Sequence, residues 1–357
     1  MKIYHTKNNI KILNLRNTTN NLNSNFKTLI ISNNSKNAWA NAINSLKAIK
    51  FKKSKIIYPS NKKKLDFSIF TKILLKFKIF YDQFNINKKI IDELENNDFQ
   101  KIIIVQPFNI YASTLKNIKK KHKDIEIIAL FIDPLLHQNY FTFNLIFSLR
   151  YFDKIIYRQP VNEKYLNILN KNFKIRCFPG FTKRTKKLGK KKYLYDLTFI
   201  GTYEKERFEL LEYLSQNDIK VTVFGNGWQN IKSNKNLIIK KKAIYGSKFY
   251  KTIFSSKINM GFLRKDNQDV YNSKTVEILA GGGFMLSEYS PYIEEIFKNN
   301  KELVFFNNNK LELLKTVKFF LKNNKLREKI KNNGFKKINK GLFNYSSQLL
   351  KIINFKI

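Results

Sequence analysis

The feature that most constrains this chain is a regular alternation of short β-rich runs with helix-periodic segments. Runs at 26–32, 55–58, 101–106, 125–132, 154–157 and 174–178 predict strands, and proline follows several of them at Pro59, Pro107, Pro134 and Pro179. Between them, 38–49 predicts a helix with Trp39, Ala42, Ile43 and Leu46 on one face. Further helices are expected at 65–80, 111–121, 139–149 and 162–169. Strands alternating with helices close a core as parallel βαβ units with right-handed crossovers. The Asn- and Lys-rich start adds an edge strand at 10–15.

A composition break separates this series from a second one. Pro179-Gly180 leads into a basic stretch, 181–193, with few apolar positions, which reads as a linker. Strands then follow at 196–200, 220–224, 258–262, 284–287 and 303–306. Helices are expected at 204–214, 248–254, 275–280, 292–297, 311–321, 326–338 and 345–352. The organisation expected is a first α/β domain over 1–180, the linker 181–193 and a second α/β domain over 194–340. A C-terminal helix within 341–357 is able to cross back to the first domain. A length of 357 residues suits two domains of ~100–200 residues each. Two open α/β domains in tandem place a ligand in the cleft between them, near the carboxyl ends of the strands.

Composition excludes several classes. An apolar fraction of 43% excludes global disorder. One cysteine, Cys177, excludes an intrachain disulfide and reads as a buried structural thiol. The greasiest runs, 102–105 and 127–132, fall far short of the ~20 residues that span a bilayer. No N-terminal segment has the layout of a signal peptide, so a cytoplasmic protein is expected. The formal charge of +42 is spread along the whole chain with Asn and Ile, as compositional drift would spread it. It suits peripheral association with the inner face of an anionic membrane. Sequence-specific nucleic-acid binding is not expected, because Lys far outnumbers Arg, the better bidentate reader of phosphate and guanine.

Three segments of the second domain carry chemistry. Gly201-Thr202 ends a strand at a helix start, where free N–H groups and the dipole suit a diphosphate, and Arg207 can add a charge-assisted contact. The alternative is a glycine that only relieves a tight turn. Gly225-Asn226-Gly227-Trp228 follows the next strand, with a tryptophan that packs either on a base or on the protein. Asn272 to Leu286 then gives a polar entry, a short helix carrying Ser273, Lys274 and Glu277, and the glycines Gly281, Gly282 and Gly283. Glu277 can accept the ribose hydroxyl protons while Lys274 or Ser273 meets phosphate. The glycines are costly in a helix interior, at about 0.5–1 kcal/mol each, and so read as a close approach to a ligand.

These segments occur in a familiar order. The segments 196–202 (Asp-Leu-Thr-Phe-Ile-Gly-Thr), Arg207, 224–228 (Phe-Gly-Asn-Gly-Trp) and 273–288 are followed by 293–297, 302–306 and 326–334. Together they resemble the C-terminal domain of the CgeB-like, spore-maturation type of group 1 glycosyltransferases. The likeness covers roughly 193–352 and extends weakly into 129–181. It implies an α/β fold of the GT-B kind: two facing Rossmann-like domains, a central cleft and a C-terminal helix. It implies a nucleoside-diphosphate sugar as donor substrate on the second domain, an acceptor on the first, and neither cofactor nor metal. Glu277 would hold the donor ribose, and Gly201, Thr202, Arg207, Lys274 and Gly281–Gly283 would surround the diphosphate. Asp133, at a strand end, is the candidate acceptor-side base, with a strand-end cap as the alternative. The chain departs from the family where a second acid is expected seven residues before Glu277. Position 270 is Val, and Asp266 and Asp269 are only near it. Lys274 stands where Arg is usual, and Phe343-Asn344-Tyr345 replaces an expected His-Thr-Tyr. Of the histidines, His5 and His122 read as solvated, and His137 as a cap or a cleft residue.

The function expected is sugar transfer to an acceptor hydroxyl of a glycan, lipid or protein. A catalytically silent partner subunit of the same fold, or a basic nucleic-acid- or membrane-binding protein, are the other readings. Glu277→Ala and Arg207→Ala are expected to weaken donor use without unfolding the chain.

Overall fold

Continuous apolar runs set the first sheet. Residues Lys101–Val105 and Glu126–Phe131 are buried along nearly their whole length. Their alternation sends Ile102 and Ile104 into one core cluster and Ile103 and Val105 into another. A strand buried on both faces belongs at the centre of a parallel sheet with helices on each side. A computed structural model of the chain describes residues 10–11, 22–32, 40–60, 66–135, 141–169, 173–177, 180, 193–265, 268–339 and 343–355. The stretch 181–192, Asp266, His5 and His137 lie outside the described residues. The chain divides into two compact units, Met1–Phe178 with Asn344–Ile357, and Pro179–Phe343.

The first unit runs β1 (Ile10–Lys11), β2 (Asn23–Ser32), α1 (Ala40–Lys47), β3 (Lys50–Ile57), α2 (Ile69–Lys76), α3 (Ile86–Asn96) and β4 (Lys101–Val105). It continues with α4 (Ala112–Lys121), β5 (Glu126–Phe131), α5 (Phe143–Ser148), β6 (Lys154–Tyr157), α6 (Val161–Leu169) and β7 (Phe173–Arg176). Among the described residues these strands form one parallel seven-stranded sheet in the order β1-β7-β6-β5-β4-β2-β3. The second unit runs β8 (Tyr195–Ile200), α7 (Lys205–Gln216), β9 (Val221–Phe224), β10 (Leu237–Lys240), α8 (Gly246–Phe254) and β11 (Ser256–Gly261). Then come α9 (Ser273–Ala280), β12 (Met285–Glu288), α10 (Pro291–Glu294), β13 (Val304–Phe306), α11 (Lys310–Lys322) and α12 (Asn324–Asn339). Its six strands, again all parallel, are ordered β10-β9-β8-β11-β12-β13. That is the doubly wound order of a dinucleotide-binding fold, with a switch point between β8 and β11. No helix among the described residues is long and apolar enough to cross a membrane.

The last helix, α13 (Tyr345–Asn354), belongs to the first unit. Its Leu349, Leu350, Ile352 and Ile353 join the core cluster of Ile30, Ile103 and Ile128. Buried Cys177 meets the Tyr345 hydroxyl at 3.9 Å, and burial pushes its thiol up to about 11. Lys154 is fully buried at the other end of α13. Its ammonium pairs with Glu126 at 2.7 Å and donates to the carbonyls of Ile352 and Phe355 at 3.1 and 2.8 Å.

The structure departs from the sequence reading at the sheet edges and around one helix. Strand β3 starts at Lys50, five residues before the expected run, because an edge strand exposes lysines where a central strand would carry apolar residues. Edge strand β10 was not anticipated: only Leu237 and Ile239 are buried, too short a pattern to stand out. The helix expected over 65–80 is confined to α2, and α3 follows it. The start of α3 is capped unusually, by Asp82, whose carboxylate accepts from the backbone N–H groups of Ile86 and Asn87 at 2.9 and 2.8 Å.

Candidate functional site

A cavity of about 180 Å³ opens at the switch point of the second sheet. Its floor is the last turn of β8, from Thr198 through Gly201 and Thr202, and the end of β11, from Asn259 to Phe262. The chain leaves β8 towards β9 on one side and comes back to β11 on the other, so no connection covers the carboxyl ends between them. The first turn of α9 borders this opening through Asn272 and Lys274, and the first turn of α7 through Arg207; a helix N-terminus carries the positive end of the helix dipole. Thr198 and Asn259 make the floor polar but satisfied. The threonine hydroxyl donates to the Asn259 side-chain Oδ1 at 3.0 Å, and the Asn259 side-chain amide donates to the backbone carbonyls of Ile253 and Phe284.

Of the sequence-predicted donor set, Gly201, Thr202, Arg207 and Lys274 line the cavity. Ser273 and Glu277 stand beside Lys274 in the first turns of α9. Asn272 caps that helix, accepting from the Thr275 N–H at 3.4 Å, and its amide donates to the Phe262 carbonyl at 3.0 Å. This ties the helix start to the end of β11. Lys274 sits 3.8 Å above the Phe249 ring and 3.7 Å from the Glu277 carboxylate. Burial pushes the Lys274 pKa down, and the Glu277 charge opposes that shift. Tyr250 is pushed up to about 12, first by burial and then by the Glu277 charge. Lys274 and Glu277 of α9 thus meet the Phe249 ring and the Tyr250 phenol of α8 in a partly dehydrated setting.

Arg207 is 5% exposed and bridges two loops of the cavity wall. Its guanidinium donates to the carbonyls of Thr202 at 3.2 Å and Leu263 at 3.0 Å, and pairs with Glu204 at 3.1 Å. Burial lowers its pKa while Glu204 acts in the opposite sense. These contacts make Arg207 a structural as well as a lining residue, so Arg207→Ala is expected to cost stability besides donor use.

Gly225 and Trp228 support the site from behind. The indole is fully buried, donates to the Gly201 carbonyl at 3.0 Å and packs edge-on against Phe199 and Tyr203. Trp228 thus packs on the protein and not on a base. A Cβ on Gly225 would lie 1.8 Å from the Gly201 carbonyl oxygen and 3.0 Å from the indole Nε1 that donates to it. Gly225→Ala is expected to cost roughly 1–3 kcal/mol by forcing the two turns apart. Urea unfolding checks this, and an unchanged midpoint would show that the turns can yield.

Gly281–Gly283 require the clearest correction, because they are not a phosphate cradle. They lie at the C-terminal end of α9, about 12 Å along the helix from its N-terminus. All three are buried. Gly282 has φ +67° and ends the helix, and a Cβ on Gly283 would lie 2.4 Å from the Ile253 side chain. These glycines are explained by helix termination and by close packing of α9 on α8.

Arg264 and Asp269 also line the cavity and were missed as site residues by sequence reasoning. Arg264 is about half exposed and stands 3.8 Å from Glu204. A cation two residues beyond the end of an expected strand was the signal available for it. Asp269 is the cavity's carboxylate, while Val270 beside it is partly buried against the α9 core. In the first unit, Asp133 follows β5 in a loop held by Gln106, whose side-chain oxygen accepts from the N–H groups of Ile132 and Asp133 at 3.0 and 3.3 Å. The Asp133 carboxylate lies 3.9 Å from Arg158. Gln106 itself adopts φ 52°, a left-handed conformation unusual for its type. His122 ends α4, its backbone N–H donating to the Ile118 carbonyl.

A glycosyl transferase-like family model matches residues 207–353. No curated protein sequence matches the chain. Among solved structures, the N-terminal domain of Candida albicans trehalose-6-phosphate phosphatase superimposes with a TM-score of 0.64 at 9% identity, over 94% of this chain and 98% of that one. Anabaena HepE, solved with UDP and glucose, gives 0.63 at 9% identity over 93% and 100%. TarM of S. aureus gives 0.52 at 13% identity over 71% of this chain, which spans 55% of TarM's length. Identities this low carry the fold alone: an α/β chain of two Rossmann-like sheets, as in the GT-B glycosyltransferases.

Proposed function

We propose that this protein transfers a sugar from a nucleoside-diphosphate sugar to an acceptor hydroxyl in the synthesis of a surface glycan, glycolipid or glycoprotein. The observation that carries the proposal is the cavity at the β8/β11 switch point, flanked by two helix N-termini and lined by Arg207, Arg264 and Lys274. The cavity residues from Arg207 to Ile278 fall within the part of the chain that matches the glycosyl transferase-like model, and the Thr198–Thr202 floor lies just before it. The CgeB-like resemblance and the UDP-bound HepE point to the same class of donor.

In this reading the diphosphate lies across the Gly201-Thr202 turn and the start of α9. Bond breaking at the anomeric carbon moves negative charge onto the leaving diphosphate oxygen. Helix N-terminal amides, Lys274 and Arg264 meet that charge from fixed positions, which stabilises the transition state more than the ground state. Side chains and amides supply this charge without a metal ion. Glu277 accepts the ribose hydroxyl protons, and by holding Lys274 charged it also readies the phosphate side of the site.

A thermal-shift titration with uridine, guanosine and adenosine diphosphates tests the proposal. At least one diphosphate is expected to raise the Tm of the wild-type chain, and Glu277→Ala is expected to remove about 2 kcal/mol of that binding, a loss of some 30-fold. Because Glu277 pairs with Lys274, the ligand-free melt of the variant is measured as its own baseline, and Glu277→Gln, which keeps the side-chain volume, checks that the loss of binding is not a loss of fold. No shift with any diphosphate would overturn the donor reading.

A further inference from the structure

Among the described residues, the first unit gathers most of its exposed large apolar side chains in one region, with Ile168 of α6 apart from them. Ile69, Phe70, Ile73 and Phe77, in and just after α2, and Phe143 and Phe147 of α5 are each between 48% and 78% exposed. The two segments meet. The Phe143 N–H donates to the Lys78 carbonyl at 3.0 Å, and Phe70 packs edge-on against Tyr81 of the same loop. Helix α2 is inverted for a surface helix, because its one buried residue is Thr71. At 3.6 residues per turn, Ile69, Phe70, Ile73 and Phe77 share an arc of about 100°, and Lys72 and Lys76 border it. Soluble surfaces seldom concentrate large apolar groups in this way without an interaction to serve.

We propose that this face docks on an anionic lipid bilayer. Phe70, Phe77, Phe143 and the isoleucines enter the boundary between headgroups and acyl chains, while Lys72 and Lys76 meet lipid phosphates. Charge selects this occupant over the others. A second copy of the chain would bring another +42 against the same lysines. A nucleic acid would match the lysines but leave Ile69 and Ile73 in water. The nearby acids leave the border positive: Asp66 is matched by Lys72 at 3.6 Å, and Asp82 caps α3. The inference stands on the first unit alone and does not depend on what the second unit binds.

The test is co-sedimentation of the full chain with vesicles of pure phosphatidylcholine and of phosphatidylcholine with about one third phosphatidylglycerol. Binding is expected to the mixed vesicles and to be weak on the neutral ones. The triple variant Phe70→Ser, Phe77→Ser and Phe143→Ser should lower partitioning about tenfold or more. Lys72→Gln and Lys76→Gln should each lower it about fivefold. All five positions are exposed, so the variants should keep the wild-type circular dichroism and Tm. Equal vesicle binding by the triple variant would overturn the proposal, leaving only diffuse charge attraction. So would absence of binding, or a wild-type dimer in sedimentation velocity that the triple variant abolishes while vesicle binding stays unchanged.

Discussion

Arg207→Ala is expected to lower both stability and donor affinity, with stability falling by roughly 3–5 kcal/mol. The physical reason is that the guanidinium is almost fully buried and three groups depend on it. Its removal leaves the Thr202 and Leu263 carbonyls without this donor and Glu204 without its closest cation. A buried charge network that loses one member loses more than the pair interaction, because the remaining polar groups stay desolvated. For a unit of this size the Tm should fall on the order of 10 °C. Diphosphate binding should fall as well, since the Gly201-Thr202 turn and the loop after β11 lose their link. Arg207→Lys should recover only part of both, because one ammonium cannot span two carbonyls as the planar fork does. Differential scanning calorimetry with and without diphosphate separates the two effects. A wild-type melt for Arg207→Ala would show that the bridge is not needed to hold the wall.

Lys154→Met should release the C-terminal helix, at a cost of roughly 3 kcal/mol. Burial pushes the Lys154 pKa down and the Glu126 charge counters it, so the ammonium persists inside the core because of its partners. Those partners include the carbonyls of Ile352 and Phe355, where the negative end of the α13 dipole lies. Methionine keeps the apolar stem and removes the ammonium donors; the Ile352 carbonyl then keeps the Phe355 N–H at 3.3 Å, and Glu126 retains Lys101. Amide hydrogen exchange should therefore accelerate in Tyr345–Asn354 more than in the central strands. Glu126→Gln, which spares the bonds to the helix, should loosen α13 less. Equal exchange in α13 for wild type and Lys154→Met would overturn the assignment of this lysine as the helix's anchor.

Much of the site's position was legible because it depends on local order. A strand, a glycine turn and a helix start at 196–207, followed by a polar cap and a helix at 272–280, are written in consecutive residues. Their partners were not legible. Trp228 as a support for Gly201, Arg207 as a bridge to Leu263 and the seating of Gly283 on Ile253 all join residues from 20 to 60 positions apart. The triple glycine misled for this reason. Three glycines in a row disfavour a helix interior whatever their purpose, and a glycine needed for close packing looks the same in sequence as one needed for a ligand. Arg264 was overlooked because in so lysine-rich a chain a single cation carries little signal until its position at the cavity is known.

By itself, then, the sequence determined that this chain folds as two successive series of parallel βαβ units, because apolar period and turn residues are local properties. The tertiary structure alone decided the strand orders, and with them the switch point between β8 and β11 where the cavity opens. It also decided which glycines face that opening and which lie in the core, and that α13 docks on the first unit through Lys154. Strand order depends on which crossovers bury the most apolar surface, and that is a property of the whole chain, with no trace in any one window of it.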